Sequence, residues 1–320
     1  MTKIITVIGA TGTQGGSVIR ALLNQPSYTI RAITRNPDST AAKDLTAQGI
    51  QVVKADLHDA QSLITAFTGT HVIFAVTNFF EHLPSHGLEE AMAIETKLGI
   101  NLAQAAAATD SLEHYIWSTL PNSRVNSNGS VVVPYYESKN RVDEFIRSVP
   151  ALLAKTTFAW FGWYAGNVLA PLFHPTRIHT ADGSESYITM VNVPPSTKLP
   201  VVGDEKVNIG LFVKAIVEQP EKTHGKIVRG VMEVRTFEEV ASAFAVAKGI
   251  QFRCVQIRRE DSRALWGALG EALDESLYYL EVTGERCFAA PGQEVLGPED
   301  LGVGGLVGFE EAYASLPLLG

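Results

Sequence analysis

The sequence predicts an α/β fold, a doubly wound parallel sheet with helices on both faces, followed by a smaller C-terminal substrate or lid domain. Three observations carry this. A β-branched run, Ile4-Ile5-Thr6-Val7-Ile8, ends in glycines at 9, 12 and 15, and a helical pattern (Val18, Ile19, Leu22, Leu23) follows at once. Strand-like and helix-like segments then alternate to about residue 160, the pattern of right-handed βαβ units. The 320 residues, 46% hydrophobic and 19% charged, suffice for one large or two interlocked domains around a sizeable core.

The first turn reads Gly9-Ala10-Thr11-Gly12-Thr13-Gln14-Gly15. Gly9 allows the tight turn, Gly12 lets backbone approach a pyrophosphate, and Gly15 lets the helix pack on the strand. The helix N-terminus then faces the anion, so Gly9, Thr11, Gly12, Gln14 and Gly15 are expected to bind a dinucleotide.

Residues 28–34 form the second strand, ending at Arg35-Asn36-Pro37, and residues 50–55 the third, closing on Asp56-Leu57. Asp59 caps a helix carrying Leu63, Ile64 and Phe67. Residues 71–76 are a fourth apolar strand, and Ala91, Ile94, Leu98, Leu102 and Ala105 mark one face of a long helix. A fifth strand at 114–117 leads through a polar loop, 122–130, to a helix carrying Val142, Phe145 and Ile146; a sixth strand occupies 157–160. The expected division is a dinucleotide-binding domain over 1–160, rejoined by a strand near 226–234, and a mainly substrate-binding or lid region over 161–320. In that second half prolines punctuate the pattern, helices are expected at 209–217 and 237–247, and two more at 262–269 and 271–281.

Composition narrows the function. The net charge of -8, with no basic run among aromatics, argues against nucleic acid. Cys254 and Cys287 are the only cysteines, without metal spacing, and the eight histidines form no H-E-x-x-H pattern, so no metal is expected. No signal peptide is read at the start. The uncharged stretch 156–176 holds Gly162, Gly166, Asn167, Pro171 and Pro175, which makes it a poor spanning helix; a cytoplasmic protein without a membrane segment is expected.

The cofactor type follows from the end of strand two. A carboxylate there would bond a ribose 2′-hydroxyl, but the sequence offers Arg35, whose forked cation suits a 2′-phosphate, so NADP(H) is expected over NAD. Asp56, with Leu57 beside it, is expected at the adenine, and Ala75, Val76 and Thr77 along the ribose. Ser118 follows strand five, and Tyr135 and Lys139 lie four apart, on one helix face. Hydride transfer to a carbonyl also needs a proton. Tyr135 is the expected donor, Lys139 the ammonium that lowers its pKa and bonds the nicotinamide ribose, and Ser118 the group that holds the carbonyl oxygen.

The chain resembles the NmrA-like family, an atypical branch of the short-chain dehydrogenase/reductases with a Rossmann domain. The resemblance rests on Gly9–Val18, on Arg35-Asn36-Pro37, on Phe161-Gly162-Trp163-Tyr164-Ala165-Gly166-Asn167, and on Val207-Asn208-Ile209-Gly210 and Thr236-Phe237-Glu238-Glu239-Val240. It implies that Tyr164 and Asn167 line a nicotinamide pocket. Family members are either reductases of quinones, phenolics or specialised metabolites, or redox-sensing regulators that bind NADP and contact protein partners. Three readings follow: an NADPH-dependent reductase of a ketone or quinone-like carbonyl on a small apolar or aromatic molecule; a non-catalytic NADP(H) sensor; and an enoyl or isoflavone-type reductase that uses Lys139 while Tyr135 shapes the pocket. Trp163 or Tyr164 is expected to face the nicotinamide, opposite the helices of 262–281. Oligomeric state is left open.

Overall fold

The computed structural model describes residues 2–318. Its first six strands are β1 (Lys3–Val7), β2 (Tyr28–Thr34), β3 (Gln51–Lys54), β4 (Val72–Ala75), β5 (His114–Thr119) and β6 (Thr156–Phe161). Then come β7 (Trp163–Tyr164), β8 (Thr176–His179), β9 (Glu185–Val191), β10 (Lys198–Gly203), β11 (Ile227–Gly230), β12 (Glu233–Thr236), β13 (Phe252–Gln256) and β14 (Val295–Leu296). Eight of these form the central sheet, in the order β14-β11-β6-β5-β4-β1-β2-β3, and every pairing in it is parallel. Both faces are covered, so β5 is buried along its whole length: Tyr115 and Trp117 pack into one layer and Ile116 into the other.

Strand β1 lies between β4 and β2, and there the strand order reverses. A parallel sheet opens a crevice at the carboxyl ends of its strands at such a switch. The turn after β1 is shaped for it. Gly9 sits at φ +66°, and a Cβ on Gly15 would stand 2.2 Å from the carbonyl oxygen of Gly9, so neither position tolerates a side chain.

The second half of the chain contributes more to the central layers than its sequence suggests. Strands β11 and β14 extend the sheet beyond β6. The helix Glu205–Glu218 lies on the helix Thr13–Leu22, the Gly210 amide donating to Ser17 Oγ at 2.8 Å. Two three-stranded sheets, β12-β10-β7 and β13-β9-β8, build the remainder. The two helices expected over 262–281 lie within Arg259–Thr283, parted by the non-helical Gly267 (φ +56°). Another kink, at Gly87 (φ +73°), sets the first turns of the helix Phe79–Ala107 apart from the rest. The loop 122–130 contains a short helix, Ser123–Asn126. Among the described residues no helix is long and apolar enough to cross a membrane.

Candidate active site

A continuous cleft of about 750 Å³ runs along the carboxyl ends of β1 to β6. Its floor at one end is the glycine turn. The helix Thr13–Leu22 starts at Gly12, in extended conformation and with no side-chain cap, so its first amides are open to an anion. Gly9, Thr11, Gly12, Gln14, Gly15, Arg35, Asp56, Leu57, Thr77, Lys139, Tyr164 and Asn167 all line this cleft.

Ala75 does not. It is fully buried in the sheet core, because the alternation of β4 turns it away from the crevice; Val76 and Thr77, expected beside it, line the wall. Gln14 Nε2 donates to the Tyr164 hydroxyl at 2.7 Å, tying the glycine turn to the segment after β6, while its Oε1 is buried without a hydrogen-bond partner. Arg35 reaches across the rim to Glu81 at 2.8 Å, and both side chains are exposed.

Ser118, Tyr135 and Lys139 line the same cleft farther along. Ser118 is buried at the end of β5, and the helix Pro134–Arg147 brings Tyr135 and Lys139 to the wall. The hydrogen bonds of Lys139 go to groups other than the Tyr135 phenol. Its ammonium donates to Glu95 Oε1 (2.8 Å), Thr77 Oγ1 (2.9 Å) and the Thr77 carbonyl (3.1 Å), and stands 5.5 Å from the Trp117 ring centre. Tyr135 turns toward Ser276, on the helix Arg259–Thr283. Burial pushes its pKa up to about 12, with Ser276 pulling the other way. Asp143, one turn beyond Lys139, accepts from Trp117 Nε1 (2.8 Å) and Thr119 Oγ1 (3.0 Å), and burial pushes it up to about 7.

The far wall is apolar. Trp163 packs against Phe173 (4.7 Å between ring centres) and Phe237 (6.0 Å); Tyr135 packs against Phe80 (5.1 Å) and Phe79 (6.0 Å). Leu269, Leu273, Ser276 and Leu280 of the helix Arg259–Thr283 close the opposite side. Tyr136, adjacent to the expected donor, is buried edge-on against Tyr279 (5.6 Å).

Sequence reasoning missed Glu95, Phe79, Phe80 and Glu81. Glu95 carried a signal: it falls between Ala91 and Leu98 on the buried stripe of its helix, where an unpaired carboxylate would be costly.

Residues 1–287 match the sequence profile of the NmrA-like family. The chain belongs to the NmrA-like family. The NmrA-like oxidoreductase hkm9 of Aspergillus hancockii is 30% identical over 260 residues, covering 79% of this chain and 74% of that protein. Among solved structures, Nmra, a negative transcriptional regulator in complex with NADP, superposes with a TM-score of 0.75 at 22% identity, covering 98% of this NmrA-like chain and 95% of that one. The NADPH-dependent quinone oxidoreductase QOR2 of Escherichia coli, complexed with NADPH, gives 0.68 at 18% identity, covering 97% and 98%. Both likenesses are of fold.

Proposed function

We propose that this protein is an NADPH-dependent oxidoreductase that reduces a carbonyl, ketone or quinone-like, on a small uncharged aromatic molecule. The single observation behind this is that one cleft joins an uncapped helix N-terminus and Arg35 at one end to an aromatic chamber holding Ser118 and Tyr135 at the other. The residues present fit NADPH. The close Gly9–Gly15 approach seats the uncapped helix N-terminus on the turn, where its amides suit a pyrophosphate, and the orphaned Gln14 Oε1 is an acceptor that a sugar hydroxyl would satisfy. When bound, NADPH supplies the hydride. The relatives named as oxidoreductases, and the quinone reductase among the structural neighbours, support the same reading.

The chain's own residues do the rest. Trp163, Phe173, Phe80 and Leu273 exclude water and favour a flat apolar substrate. Ser118 donates a hydrogen bond to the carbonyl oxygen, and Tyr135 swings from Ser276 to protonate it. The elevated pKa of Tyr135 sets its protonation state. A phenol held near 12 keeps its proton across the neutral range, so it serves as a donor to a forming alkoxide or phenolate. It is a poor base toward an alcohol. The expected outcome is that NADPH-linked reduction shows no loss attributable to this group between about pH 7 and about pH 10. NADP-linked oxidation of the product rises roughly tenfold per pH unit over the same span. Initial rates in both directions test this, and an oxidation rate already on a plateau near neutrality overturns it.

Trp163→Ala removes the largest ring of the chamber. It is expected to raise KM for aromatic substrates by roughly ten- to a hundredfold, the effect of losing about 1.5–3 kcal/mol of apolar burial, while NADPH affinity changes far less. Steady-state kinetics against an aromatic and an aliphatic ketone check it.

A second reading, an NADP(H) sensor that acts through a protein partner, is favoured by the likeness to Nmra. It predicts binding without turnover.

A further inference from the structure

We propose that Glu95 is the positioning residue of the nucleotide site, fixing the Lys139 ammonium at the end of β4 as a hydrogen-bond donor for the sugar hydroxyls of the dinucleotide. The inference rests on the NADPH reading above.

Glu95 projects from the middle of the helix Phe79–Ala107, and its side chain is 1% exposed. Its carboxylate gathers donors from two other elements. Lys139 Nζ donates to Oε1 at 2.8 Å, Thr77 Oγ1 donates to the same oxygen at 2.8 Å, and the Ser138 hydroxyl donates to Oε2. Thr77 is held twice, since its hydroxyl also accepts from Lys139 at 2.9 Å. The cluster ties the segment after β4, the long helix and the helix Pro134–Arg147 into one unit beside the cleft, into which Thr77 and Lys139 both open.

Two consequences follow from elementary electrostatics. A buried ammonium needs a compensating anion, and among the described residues Glu95 is the one acid bonded to it, so the side chain that fixes the position of Lys139 also neutralises its charge. A neutralised ammonium exerts little field on a neighbouring phenol. This matches the Tyr135 hydroxyl turning toward Ser276 and remaining a weak acid. The function left to Lys139 is short-range: with three donors on a rigid mount, it exchanges one of its bonds to Thr77 for a sugar hydroxyl.

The test is a double-mutant cycle on the full chain, with NADPH titrated by calorimetry and the melting temperature measured without ligand. Glu95→Gln and Lys139→Met are each expected to weaken NADPH binding by roughly tenfold, the loss of one charge-assisted contact. The double variant is expected to bind no more weakly than Lys139→Met alone, because Glu95 acts only through Lys139. Each single variant lowers the melting temperature and the double variant regains part of the loss. In turnover, Glu95→Gln raises KM for NADPH and leaves KM for the carbonyl substrate unchanged. Should Glu95→Gln not yield folded protein, Glu95→Asp, which keeps the charge but withdraws it by one methylene, is expected to give a smaller loss of the same kind. Wild-type protein that does not bind NADPH overturns the cofactor reading and this one with it. Wild-type binding matched by Glu95→Gln, or losses that add in the double variant, overturns the Glu95 assignment alone.

Discussion

Tyr135→Phe is expected to lower turnover by about 10²–10⁴, the usual contribution of a positioned general acid, while folding and NADPH affinity change little. The substitution keeps the ring, and with it the packing against Phe79 and Phe80. It leaves no buried group stranded, because the Ser276 hydroxyl, which loses Tyr135, still donates to the Leu273 carbonyl at 2.9 Å. Loss of rate without loss of stability or cofactor binding therefore reports the proton. Single-turnover reduction at saturating NADPH, with a melting curve on the same sample, measures it. Full activity in Tyr135→Phe would instead favour the reading in which Lys139 alone serves an enone-type substrate and Tyr135 only shapes the chamber.

Arg35→Ala is expected to remove most of a preference for NADPH over NADH, a change of roughly ten- to a hundredfold in relative affinity. Arg35 is paired with Glu81 in this structure, and the outcome depends on which partner wins. An exposed ion pair is worth about 0–1 kcal/mol, whereas a forked guanidinium on a phosphate gives charge-assisted bonds of about 1.5–3 kcal/mol. The phosphate is therefore expected to displace the carboxylate. Titrations of both nucleotides against both proteins check this, and equal affinities in the unaltered protein would refute the assignment of Arg35.

The parts of the fold that were legible in the sequence are those in which local pattern and tertiary role coincide. The β-branched run of β1, the glycine turn and the apolar stripe of the next helix each follow from their own residues, and the alternation through β6 then fixes a parallel sheet. The second half was read less well because its strands obey no such pattern. β8 is largely exposed, β13 is half-buried, and β14 is two residues long, held in place by pairing with β11.

The candidate site divides in the same way. Residues at or just after a strand end, such as Arg35, Asp56, Thr77 and Ser118, are placed on the cleft by strand position alone, whereas Ala75, expected beside Val76 and Thr77, still belongs to β4 and points into the core. The link from Tyr135 to Ser276 joins residues more than a hundred positions apart, so no spacing rule finds it. Lys139 looked like a partner for Tyr135 because the helix puts both on one face; its true partner, Glu95, approaches from a different helix. A carboxylate inside a buried helical stripe was the available clue.

The measurement that bears most directly on the central claim is NADPH oxidation by the purified protein, followed at its absorbance, against a panel of ketones, quinones and enones with product identification. Turnover is expected with at least one flat, uncharged aromatic carbonyl compound, giving the alcohol or hydroquinone in equal amount to the NADPH consumed. Tight NADPH binding with no oxidation by any member of the panel would contradict it, and the cleft would then be that of a sensor.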